Sequence, residues 1–186
     1  MLLKNVPLLD VLARWGYSEV INSNAQHHYD NGRDVASLRS KRQSGIAFED
    51  LSLQERYNVA FQSGCIRRNL IVFTIGADLF DVIEIDRPTI AKLIVPPNVW
   101  YPESNEQFVY FEHFMMTAAE SSKDSRNVAL DGKYSFPADP LTIGRSYEHA
   151  ILLDGYHRAA LFWKFGPHNG KLTAYVPHAL LGAFGK

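Results

Sequence analysis

Residues Asp154 to Arg158 put an acid, a glycine, an imidazole and a guanidinium between the apolar run "HAILL" and the helix-like run "AALFWKF". Such a cluster at a strand-to-helix junction suits an anion. Asp154 is expected to cap the helix by accepting from the amides of Tyr156 or His157. Gly155 lets a ligand approach the backbone closely. The first amides of a helix lack an internal acceptor and carry the positive end of its dipole. A cation in the first turn opposes that dipole, so Arg158 has no local stabilising reason to stand there. With the amides it reads as a binder of phosphate or carboxylate. His157 adds a donor or proton carrier near neutral pH. The plainer alternative is a cap, a turn and two solvated side chains.

Reaction chemistry at a bound phosphate would need a carboxylate as base or metal holder. Glu84 and Asp86 alternate with Ile83 and Ile85 and so share one face of a strand, which is also the pattern of a plain polar sheet face. Glu112, with His113, is a further candidate. Asp139 precedes Pro140, an ordinary turn pairing. His27-His28-Tyr29-Asp30 lacks a third ligand at fixed spacing and reads as a polar loop, so no metal site is assigned. Arg33, Arg39, Lys41 and Arg42 form the strongest basic cluster, which Arg67-Arg68 could enlarge toward nucleic-acid phosphate. A solvated helix face is the preferred reading. Trp100-Tyr101 and "FVYFEHF" could stack a base, although core packing accounts for them too. Phosphate-loop, nucleophile-elbow and zinc-protease motifs are absent from the chain.

The elements that would hold these residues follow from periodicity. A helix is expected over 7–16, stopped by Gly16, and a short basic helix over 34–42. "SLQE" at 52–55 is a capping box opening a helix to about Ser63. "NLIVFTI" (69–75) and "LFDVIEID" (79–86) read as a hairpin. Residues 87–97 hold a short apolar run between prolines, and 103–122 is the longest helix candidate. Strands at 141–145 and 149–154, a helix at 156–165 and a strand at 171–177 close the chain.

The chain has 186 residues, 46% of them hydrophobic, enough for a real core. A net charge of −1 gives no case for bulk binding to nucleic acid or membrane. Cys65 is the single cysteine, which excludes an internal disulfide and fits a reducing, cytoplasmic setting. No signal peptide and no spanning apolar run are visible.

The order of elements over 139–177 resembles the core of the ParB/sulfiredoxin-like superfamily. The residues that carry the likeness are Pro140 to Ile143, Ile151 to Arg158 with its Asp-Gly-x-His-Arg form, Ala159-Ala160, Gly166, and Leu172 to Val176. The resemblance implies an α/β (α+β) mixed sheet with packed helices over 67–186, preceded by a helical extension over 1–66. It implies a junction that cradles nucleotide phosphate, with Arg158 as phosphate ligand beside Asp154, Gly155, Tyr156 and His157. The nucleotide would be ATP, ADP or CTP, with Mg²⁺. Sulfiredoxins carry a cysteine where Tyr156 stands. With so little chain after 177, the helix-turn-helix of the segregation proteins is not expected. The motif is nearer the kinase-like members. The expected function is therefore nucleotide-dependent phosphoryl transfer to a small hydroxylated molecule, with His157 and one of Glu84, Asp86 or Glu112 in the chemistry. The alternatives are a non-catalytic nucleotide- or DNA-binding regulatory module and a ParB-like nuclease.

Overall fold

The computed structural model describes residues 2–20, 32–62, 79–95, 109–116, 139–146 and 149–184. The chain divides into two compact units, Val6–Phe80 and a second made of Met1–Asn5 with Asp81–Lys186.

The first unit is helical: α1 (Leu8–Glu19), α2 (Gly32–Gln43), a short 3-10 turn at Phe48–Asp50, and α3 (Leu53–Gln62). Ala13, Tyr17 and Val20 meet Leu38, Phe48, Leu51, Val59 and Ala60 in one core, with Leu9 and Leu12 packed against it. That core explains why α1 runs through Gly16 instead of stopping there. Tyr17 and Val20 are 1% and 0% exposed, and burying them outweighs the ~1 kcal/mol that a mid-helix glycine costs.

The capping box at the start of α3 is present. The Ser52 amide donates to Glu55 Oε2 at 2.9 Å, and the Glu55 amide donates to Ser52 Oγ at 3.3 Å. Ser52→Ala should lower stability by about 1 kcal/mol, measured by denaturant titration. An unchanged midpoint would mean that Glu55 alone satisfies the first turn.

Arg39, Lys41 and Arg42 of the basic cluster are engaged within their own unit. Arg39 donates to the Val20 carbonyl at 2.8 Å, Lys41 pairs with Glu55, and Arg42 lies 5.4 Å from the centre of the Tyr17 ring. Arg67-Arg68 and the histidines at 27 and 28 lie outside the described residues.

The second unit is built on a seven-stranded mixed sheet, in the order β1-β2-β7-β5-β6-β3-β4. The strands are β1 (Leu2–Pro7), β2 (Leu79–Asp86), β3 (Ile94–Val95), β4 (Val109–Tyr110), β5 (Leu141–Ser146), β6 (His149–Asp154) and β7 (Lys171–Pro177). β6 runs antiparallel to β5 and parallel to β3, and β5 runs parallel to β7. The helices are α4 (Arg87–Ala91), α5 (Phe111–Met116), α6 (Tyr156–Phe165) and α7 (Leu181–Phe184). Ile83, Ile85, Ile143, Leu152, Ala174 and Val176 from the strands pack with Ile90, Phe111, Phe114, Ala159 and Phe162 from the helices. Ala159 and Ala160, 0% and 1% exposed, let α6 lie close on the sheet.

The chain is thus of α/β class, with a mixed sheet and packed helices. The strand at Leu2–Pro7 was not expected. Of the helix expected over 103–122, Val109–Tyr110 is strand, since it pairs antiparallel with β3, and Phe111–Met116 is helix. The rest of that segment lies outside the described residues, as does the first arm of the hairpin at 69–75. No helix among the described residues is long and apolar enough to cross a membrane.

Candidate anion site at the β6–α6 corner

The four elements β5, β6, α6 and β7 fall in the expected order, and the junction between β6 and α6 is sharp. Gly155 makes the turn with φ 94° and ψ 21°, a left-handed conformation that favours glycine. It is buried. A Cβ built there would sit 2.4 Å from Leu141 Cδ2 and 2.9 Å from Arg158 Nη2. The helix cap therefore falls on Gly155, not on Asp154 as expected. Its carbonyl accepts from the Ala159 amide at 2.8 Å, which starts the helix ladder.

Asp154 has a different task. Its Oδ2 accepts from Arg158 Nη2 at 2.7 Å, and the two side chains are only 13% and 12% exposed. The same Nη2 donates to the Pro140 carbonyl at 3.1 Å. The expectation that Arg158 lacks a local stabilising partner is corrected: the guanidinium folds back over Gly155 and ties the helix to the start of β5. It is not fully satisfied, because Arg158 Nε is buried and has no hydrogen-bond partner. A donor desolvated without an acceptor costs on the order of 1–3 kcal/mol.

The flanking residues divide by exposure. Tyr156 is 9% exposed and its hydroxyl donates to the Leu152 carbonyl. Burial pushes its pKa far above the ordinary tyrosine range. Its side chain is structural, so it can serve an anion only through its backbone. His157 is exposed at the surface of the corner. Partial desolvation of the ring lowers its pKa, Asp154 pulls the other way, and Arg158 adds to the lowering.

Burial raises the Asp154 pKa, while the Arg158 guanidinium and the Gly155 amide oppose the rise without reversing it. A carboxyl with a raised folded pKa binds its proton more tightly in the folded state, so its contribution to stability is complete below the unfolded value of 3.8 and is lost as pH rises through the folded value. Wild-type protein should therefore lose thermal stability relative to Asp154→Asn as pH rises from acid toward neutral. A gap that moves the other way would mean that the ion pair dominates and that the folded pKa lies below 3.8.

α6 is held at its far end by Arg87, which sequence reading did not single out. Its Nη2 donates to the Phe162 and Gly166 carbonyls at 3.1 and 2.7 Å, a favourable place for a cation. Nothing in the local sequence marks this contact, because the partners are more than seventy positions apart.

The carboxylates named as candidate bases lie elsewhere. Glu84 and Asp86 do share the exposed face of β2, as their alternation implied. Glu84 faces Lys171 at 3.9 Å. Asp86 caps α4, accepting from the Thr89 amide at 3.0 Å and the Thr89 hydroxyl at 2.6 Å. Those bonds hold its pKa below the usual carboxylate value. Asp86 and Glu112 both line a cavity of about 910 Å³ that takes in none of Asp154 to Arg158. His149 and Ala150, also in its lining, begin β6. Along that strand His149 stands roughly 16 Å and Ala150 roughly 13 Å from Asp154.

The acid nearest Arg158 is Asp154 itself, and Asp139 is close enough for its charge to act on Asp154. Among the described residues no three His, Cys, Asp or Glu side chains converge on a metal-sized space. Mg²⁺ carried by a nucleotide needs only one or two protein carboxylates, and the carboxylates at this corner are Asp154 and Asp139.

Sequence reading also missed Asp81, which breaks the polar alternation of β2 by being 1% exposed. It is hydrogen-bonded to His178 Nδ1 at 2.8 Å. No protein family, curated protein or solved structure matches this chain.

Proposed function

We propose that the chain is a nucleotide-binding protein of ParB/sulfiredoxin-like type that transfers a phosphoryl group to a small hydroxylated molecule, with its phosphate site at the β6–α6 corner. The observation that carries this reading is the buried Nε of Arg158, a charged donor without an acceptor at the positive end of the α6 dipole. An incoming phosphate competes with Asp154 for the guanidinium and gives Nε the acceptor it lacks, which makes a bidentate contact. His157, exposed beside it, lends a further hydrogen bond.

The exchange frees the Asp154 carboxyl. Its raised pKa suits a general base better than Asp86, which is held low by its cap. The acceptor hydroxyl gives its proton to Asp154, its oxygen bonds the terminal phosphorus, and the bond to the nucleotide's bridging oxygen breaks. Mg²⁺, which the resemblance implies, would supply charge neutralisation at the phosphate oxygens, with Asp139 as the carboxylate to hold it. Arg158 does most of the work by stabilising charge on the moving group.

The test is calorimetric titration with ATP, ADP and CTP plus Mg²⁺, followed by turnover assays against hydroxylated metabolites. Saturable binding with turnover supports the reading. Binding without turnover favours a regulatory module, which the placement of Glu84, Asp86 and Glu112 away from the corner also suits. No binding of any nucleotide or of inorganic phosphate removes the proposal.

A further inference from the structure

The cavity at α4 and α5 is lined by none of the corner residues Asp154 to Arg158. Its volume of about 910 Å³ falls in the range of small-molecule pockets. Its walls carry charges of both signs. Lys92 comes from the end of α4, Glu112 from the first turn of α5 and His149 from the start of β6, with Tyr110 from β4 and Phe184 from α7. The side chains of Lys92, Tyr110, Glu112 and His149 make no hydrogen bond or ion pair with other described residues. Glu112 thus shares a cavity with Lys92 and His149 yet pairs with neither.

Opposite charges that face one space without meeting leave room for a guest that both donates and accepts. Tyr110 is 55% exposed although aromatic, and it offers a flat apolar platform on the same wall. A hydroxyl gives and takes a hydrogen bond at once, and the C–H face of a sugar ring packs on an aromatic face. A purely anionic guest would meet Glu112 as a like charge, and a purely apolar one would leave the charged groups desolvated without partners.

We infer that this cavity binds a neutral polyhydroxylated small molecule of the sugar or cyclitol class. Its ring lies on Tyr110, and its hydroxyls bridge Glu112 to Lys92 and His149. Asp86, committed to capping α4, shapes the wall and takes no direct part.

The experiment is saturation-transfer NMR and calorimetry on the full chain with glucose, galactose, ribose, inositol, sucrose and maltose, with glycine and serine as zwitterionic controls. Inorganic phosphate titrated in parallel reports the corner, so the two sites succeed or fail separately. At least one sugar or cyclitol should bind saturably. Glu112→Gln and Tyr110→Ala, both surface changes, should each weaken it about tenfold or more, the scale of one lost charged hydrogen bond or one lost aromatic contact. No saturation with any polyol, binding of the amino acids alone, or equal affinity in both variants would overturn the inference.

Discussion

Arg158→Ala will abolish binding of inorganic phosphate and nucleotide, and it will cost about 3–5 kcal/mol of stability. A solvated first-turn side chain could be truncated with the fold unharmed. The corner says otherwise, because Arg158 is the partner of a carboxylate that is only 13% exposed. Truncating it leaves Asp154 buried and uncompensated. Asp154 then takes up a proton more readily, so the loss should be larger at pH 8 than at pH 5.

Two further variants separate binding from folding. Arg158→Lys keeps the charge and much of the stability but gives up the planar fork, so phosphate affinity should still fall sharply. The double change Asp154→Leu with Arg158→Met replaces the pair with apolar groups of similar size. It should recover most of the lost stability and none of the phosphate binding. If that double variant binds phosphate as the wild type does, the guanidinium is a structural tie alone and the proposed function fails. The measurements are denaturant unfolding and calorimetric titration on the same preparations.

Gly155→Ala is expected to be the other large effect. At φ 94° an alanine carries backbone strain of about 1–3 kcal/mol. Its methyl would also lie 2.4 Å from Leu141 Cδ2 and within 3.1 Å of Arg158 Nε. Leu141 is 1% exposed and belongs to the main core, so it has nowhere to retreat, and overpacking of this kind adds about 1–3 kcal/mol. Gly45 supplies the internal control. Its φ is also positive, 78°, but a Cβ there meets nothing within 4 Å. Gly45→Ala should show the backbone part alone. If the two substitutions cost the same, the crowding at the corner has no energetic consequence. Gly155→Ala should also displace the Arg158 fork, so phosphate affinity should fall together with stability.

Much of both units could be read from the chain by local rules. Alternation placed Glu84 and Asp86 on the open face of β2. The Ser52-x-x-Glu55 box fixed the start of α3, and the sequence from Pro140 to Pro177 fixed the order strand, strand, helix, strand. These depend on contacts a few residues apart, or on one face of one element being buried, and both leave a periodic trace. The cluster at 154–158 was visible for the same reason.

What the corner does with those residues was decided by packing. Whether Asp154 caps a helix or neutralises Arg158 depends on how deep both are buried and on where the Pro140 carbonyl lies, and that carbonyl comes from the residue just before another strand. The clamp of Arg87 on α6, the burial of Asp81 against His178, and the meeting of Lys92, Glu112 and His149 on one cavity all join distant segments. The sequence by itself determined which side chains could carry charge and which faces would seek the core. Only the tertiary structure decided which charges meet, because desolvation and distance set their interaction and neither is encoded in spacing along the chain.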